Sequence, residues 1–136
     1  MAIETAVYHL KSGGVLLITA HLREEFQENN FVYTGAKDDI SITLFENNTL
    51  IGPEKDSYEA VLIYLIRRKG ELTVHEDCHV IGLFPEAVWD TLLGEAGLSV
   101  QRTPLGGLYD RYLMGEGAYP MSVFVCTKTR PDGRSS

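Results

Sequence analysis

The feature that most constrains this chain is a change of rhythm along it. Val15-Leu16-Leu17-Ile18-Thr19-Ala20 is an almost continuous apolar run placed directly after Gly13-Gly14. Unbroken apolarity of that length predicts a strand covered on both faces, the habit of a parallel sheet. Upstream, Ile3, Ala6, Val7 and Leu10 fall at i, i+3, i+4 and i+7, so residues 2–11 predict a helix with one apolar side. Ser12-Gly13-Gly14 ends it, because glycine takes a left-handed cap at little cost. Helix, glycine turn and buried strand make an α/β unit.

After His21 the pattern becomes one of strands alone. Residues 22–29 are polar and predict a helical or irregular stretch. Phe31-Val32-Tyr33 and residues 40–45 predict two strands joined by a polar turn at 35–39. Residues 46–57 contain Asn47, Asn48, Gly52, Pro53 and Asp56 and predict a loop. Residues 59–68 predict a long strand, and Arg68-Lys69-Gly70-Glu71 turns it into another over 72–83. Strands without intervening helices pair as antiparallel hairpins. The α/β rhythm then returns. Pro85 suits a first helical position, and Val88, Trp89, Leu92, Leu93 and Ala96 form the apolar stripe behind it. Gly97 is a natural cap, residues 98–102 predict a short strand, and a Gly- and Tyr-rich loop at 104–120 precedes a last strand at 121–127.

Composition narrows the classes. The chain has 136 residues, 44% apolar and 23% charged, which fits one globular domain and excludes a disordered tail, a fibre or a coiled coil. Acidic residues outnumber basic ones 19 to 12, so a net charge of -7 repels phosphate backbones and excludes nucleic acid as the main partner. No apolar run approaches the ~20 residues of a membrane span, and no basic segment leads into a secretory signal. Cys78 and Cys126 are too far apart in sequence for a disulfide framework or a thiolate metal site. They are expected as reduced, mostly buried thiols of a cytoplasmic protein.

Three segments together resemble class I S-adenosylmethionine-dependent methyltransferases. His9-Leu10-Lys11-Ser12-Gly13-Gly14-Val15-Leu16-Leu17-Ile18 resembles their helix-to-strand segment, with Ser12 where proline is usual. His79-Val80-Ile81-Gly82-Leu83-Phe84-Pro85-Glu86, followed by Trp89, Leu93 and Glu95-Ala96-Gly97-Leu98, resembles the approach to their last helix. Val123-Phe124-Val125-Cys126-Thr127-Lys128 is similar to the closing strand. The whole resembles members with an inserted antiparallel sheet, such as the sugar-amine N,N-dimethyltransferases and glycine N-methyltransferase-like proteins. The resemblance covers nearly all of this chain and about the last half of the family's domain. It implies an α/β fold: a partial Rossmann-like sheet, an inserted antiparallel sheet over about residues 31–83, and two or three helices. The whole is expected as one domain, residues 1–136, with a frayed tail at 129–136.

The family's cofactor rests on a Gly-rich turn after its first strand, and an acidic residue after the second holds the ribose. Here Gly13-Gly14 precede a strand, Gly106-Gly107 do not open a helix, and Gly115-Glu116-Gly117 runs into Tyr119-Pro120. The expectation is therefore no cofactor site in this chain alone. S-adenosylmethionine would bind only with the missing N-terminal half.

Candidate site residues follow from the strand at 71–81. Leu72, Val74, Cys78 and Val80 alternate to one side, with Glu76 as the exception; Glu71, Thr73, His75, Asp77 and His79 face the other. His75 and His79 stand ~13 Å apart along a strand, too far to share an ion, so no metal is expected. An imidazole steered by Asp77 suits a substrate wall that accepts a proton during methyl transfer, and a solvated outer face fits the same pattern. His21, and more weakly Arg23 and Glu24, follow the buried strand at the end where open α/β sheets bind ligands. Tyr109, Arg111, Tyr112 and Tyr119 gather in the last loop and are suited to lining a small-molecule pocket or to contacting another chain. No catalytic residue is singled out. The partner is expected to be a second copy or a complementary N-terminal half. The rival reading is a non-catalytic module that dimerises or binds a small ligand.

Overall fold

The computed structural model describes residues 2–130, which divide into two compact units. The expected frayed tail lies outside the described residues from position 131 onward. The architecture is mixed α/β, with two helices and two antiparallel sheets.

The first unit holds α1 (Ala2–His9), β1 (Val15–Ala20), α2 (Glu86–Glu95), β6 (Leu98–Pro104) and β7 (Ser122–Lys128). Its strands run in the order β1-β7-β6, with the last strand inserted antiparallel between the other two. Alternation then decides the packing. Leu16, Ile18, Phe124, Cys126, Leu98 and Val100 face Ile3, Val7 and Leu10 of the first helical segment and Trp89, Leu93 and Ala96 of the second. The opposite side of β1 is uncovered: Val15 is 51% and Leu17 64% exposed. This differs from the strand covered on both faces that the apolar run predicts. The run has partners for one face only, and its ladder partner is antiparallel. The glycine pair divides its work. Gly13 takes φ 77°, and a Cβ on Gly14 would meet the Lys11 carbonyl at 2.8 Å.

The second unit holds β2 (Asn29–Lys37), β3 (Ile40–Ile51), β4 (Ser57–Arg68) and β5 (Glu71–Gly82), paired in sequence order as an antiparallel meander. Residues 107–119 belong to it and carry a short 3-10 turn at Asp110–Tyr112. The β4–β5 connection is a two-residue hairpin with φ 50° at Lys69 and 83° at Gly70, the primed geometry that matches strand twist. β3 continues through Asn47 and Asn48 to Ile51, where the sequence predicts a loop. Asparagine ladders explain the difference. Asn47 donates to Asn30 at 2.7 Å and Asn48 to Asn29 at 2.9 Å, each across its own register pair. β5 is an edge strand exposed along both faces. Cys78 is therefore exposed and only Cys126 buried, which corrects the expectation of two buried thiols.

Candidate functional site

Register gathers the polar residues of the second unit onto one face. Phe31 pairs with Glu46, Glu46 with Leu62, and Leu62 with Asp77. The neighbouring rows are Tyr33–Leu44–Tyr64–His75 and Asn29–Asn48–Ala60–His79. His75, Asp77 and His79 thus share a face with Glu46, Asn48, Tyr33 and Tyr58. Residues 107–119 pack against the same face. Leu113 bridges to Phe31, and Met114 donates its N–H to the Asn30 carbonyl at 2.8 Å. The Tyr119 ring sits edge-on to Phe31 at 4.4 Å, and Tyr112 lies 5.0 Å from Tyr33. Tyr109 joins the set at 6.0 Å from Tyr119 and 6.5 Å from Tyr112. Asp110 holds the loop closed by accepting the Tyr119 N–H at 2.8 Å. Tyr109 and Tyr112 are therefore brought together, and Tyr33, Tyr58, Phe26 and Phe31 extend the aromatic wall they begin.

Glu46 is the residue that sequence reasoning missed. It is half-buried on this wall and accepts from the Asn48 amide at 2.9 Å. Burial first, and then the Glu46 carboxylate, pushes the Tyr33 hydroxyl well above the usual phenol range. The same causes push Tyr119 and Tyr58 upward. Its signal in the sequence is a carboxylate that breaks an otherwise apolar strand on the side carrying Ile42 and Leu44.

The remaining candidates of this unit are more open. His79 Nε2 lies 3.0 Å from Asp77 Oδ2, with both side chains more than half exposed. His75 lies exposed one step further along β5. Arg111 lies over the Tyr112 ring at 4.7 Å and donates to its hydroxyl at 2.6 Å. Among the described residues no group of His, Cys, Asp and Glu has the spacing of a metal site.

In the first unit His21 is buried, at 8% exposure, and its Nδ1 is 3.0 Å from the Pro120 carbonyl. A carbonyl only accepts, so the proton sits on Nδ1. Arg23 donates its backbone N–H to Phe84, and Glu24 caps α2 by accepting the Glu86 N–H at 2.9 Å. Both acts serve the fold. Arg102 binds Glu86 at 2.8 Å and the buried Ser122 hydroxyl at 2.9 Å.

The residues present do not fit a cradle for S-adenosylmethionine. β5 reaches α2 through Leu83, Phe84 and Pro85 with no glycine turn, and Gly13 and Gly97 lie between a helix and the strand that follows it.

No protein-family model matches the chain, and no curated protein matches it. Solved structures do match in fold. DesVI of Streptomyces venezuelae superimposes with a TM-score of 0.67 at 19% identity, over 90% of this chain and 48% of its own. The sugar N-methyltransferase KedS8 of a Streptoalloteichus species gives 0.64 at 19%, over 95% and 48%. CalS10, an amino pentose methyltransferase of Micromonospora echinaspora solved with SAM bound, gives 0.63 at 16%, over 94% and 49%. The chain shares its fold with part of each of these structures and spans about half the length of the structures it matches.

Proposed function

We propose that this chain is the C-terminal, substrate-side portion of a SAM-dependent methyltransferase acting on a sugar amine, inactive until a Gly-rich half supplies the donor. The observation that carries the reading is the fold likeness to about half of each neighbour. The uncovered side of β1, with Val15 and Leu17 exposed, supports it, because a doubly wound sheet covers both faces. Methyl transfer depends mostly on placing the nucleophile, so a chain that forms a substrate wall contributes orientation. In this reading Asp77 steers His79 through Nε2, and His79 Nδ1 accepts the proton released by the amine. The test is calorimetric titration of SAM into the chain alone and into its mixture with a polypeptide supplying the Gly-rich half. Heat in the mixture only is expected; binding by the chain alone at micromolar strength overturns the reading.

The second reading, a self-associating module, is favoured by the outer face of the four-stranded sheet. Phe45, Ile63, Val74 and Val80 are all exposed on it, with Glu59 and Arg67 on the same face towards opposite ends of β4. Strands of this length at ~3.3 Å per residue, four abreast at ~4.8 Å, offer ~700 Å² per copy, close to the ~800 Å² a stable dimer uses. A two-fold axis across the strands sets Arg67 of one copy against Glu59 of the other. A homodimer by sedimentation that Ile63→Glu converts to monomer is expected; a wild-type monomer at high concentration sinks it.

A further inference from the structure

We propose that Glu46, Asn48, Tyr33, Tyr58 and Tyr119 form a subsite for an organic ammonium group. The transferase reading supplies only the expectation that this ammonium sits on a sugar-sized ring; the subsite is argued from its own groups.

A half-buried carboxylate beside aromatic rings is costly unless a cation compensates it. Glu46 has no ion-pair partner among the described residues, whereas Asp77 on the same face lies 3.0 Å from His79 Nε2. Glu46 is nonetheless held in place. Asn48 is 1% exposed, and its amide nitrogen donates to Glu46 and to Asn29, both at 2.9 Å. Since both neighbours are acceptors, the amide cannot be turned round. Its carbonyl oxygen is left buried without a donor. Two acceptors, one of them charged, therefore sit side by side and await donors. An alkylammonium brings up to three N–H donors and one positive charge, which answers both. The surrounding rings add the faces that favour a cation. Tyr119 packs edge-on to Phe31 at 4.4 Å, and Phe31 stands opposite Glu46 in the β2–β3 register.

The probe is cyclohexylammonium chloride, titrated into the full chain and followed by amide chemical shifts, with cyclohexanol at equal ionic strength as the neutral comparator. Saturable shifts on β2, β3 and residues 107–119 are expected for the ammonium and not for the alcohol. Glu46→Gln should weaken binding at least ~10-fold, while Glu46→Asp and Glu71→Gln stay within about threefold. Equal binding of the alcohol, or unchanged binding in E46Q, overturns the subsite. If E46Q loses its near-ultraviolet dichroism, the preference of the wild type for ammonium over alcohol and the retention by E46D decide. Methyl transfer is read separately in the mixture with the Gly-rich half. Ammonium binding without transfer overturns the transferase reading alone, and transfer at an unchanged KM in E46Q overturns the subsite alone.

Discussion

Lys128, the last residue of β7, donates through Nζ to the Leu10 carbonyl at 2.8 Å and to the Val7 carbonyl at 2.8 Å. The end of one chain segment thus caps the helix at the other. Free carbonyls at a helix C-terminus carry partial negative charge, and an ammonium there satisfies both bonding and dipole. Replacing Lys128 with Met keeps the apolar stem and removes the donor. The expected loss is about 1–2 kcal/mol, read from the urea midpoint. An unchanged midpoint would mean that water satisfies these carbonyls as well as the lysine does.

Two glycines should respond in opposite directions to alanine. At Gly14 the new Cβ would meet the Lys11 carbonyl at 2.8 Å, a backbone atom that cannot step aside. Gly14→Ala should cost about 1–3 kcal/mol. Gly94 lies inside α2 with nothing near its Cβ position. Gly94→Ala should raise stability by about 0.5–1 kcal/mol, through the lower backbone entropy of the unfolded chain. Thermal melts of both variants check the pair.

Glu24 gives the first unit an acid-sensitive joint. Its carboxylate is held below the ordinary range, chiefly by the Glu86 backbone N–H it accepts at the start of α2. A depressed folded-state pKa means stability that is present above the unfolded pKa and is lost as pH falls through the folded one. Unfolding free energy should therefore decline on acidification below the usual carboxylate range. Glu24→Gln should flatten that decline, since glutamine does not titrate. Equal acid limbs for the two proteins would place the sensitivity elsewhere.

Much of the chain's local structure was readable because periodicity reports on local geometry. The run at 15–20, the stripe from Val88 to Ala96 and the turn at Lys69-Gly70 each carry their signal within a few residues. What was not readable depends on partners distant in sequence. The run at 15–20 reads as covered on both faces, and only the sheet order shows one of them open. Asn47 and Asn48 read as loop residues because their ladder partners lie on β2. Cys78 reads as buried because its edge position is a property of the sheet order. Within the candidate site, the face of β5 bearing His75, Asp77 and His79 followed from alternation alone. Glu46 did not, because its meaning comes from Tyr33 on β2 and Tyr119 in the last loop.

The tyrosine wall predicts an alkaline limit for the second unit. Burial, reinforced by Glu46, raises the Tyr33, Tyr58 and Tyr119 hydroxyls above the ordinary phenol value of 10.0. A raised folded-state pKa contributes stability that is complete below the unfolded value and is lost as pH rises through the window above it. The unfolded phenols ionise first and pull the equilibrium towards themselves. Tyrosinate absorbance should therefore rise in two stages, with these three hydroxyls only in the second, as the sheet unfolds. Tyr33→Phe removes one of the buried phenols and should shift the second stage to higher pH. One smooth transition covering all seven tyrosines, with the far-ultraviolet signal intact, would show that the wall is open to hydroxide.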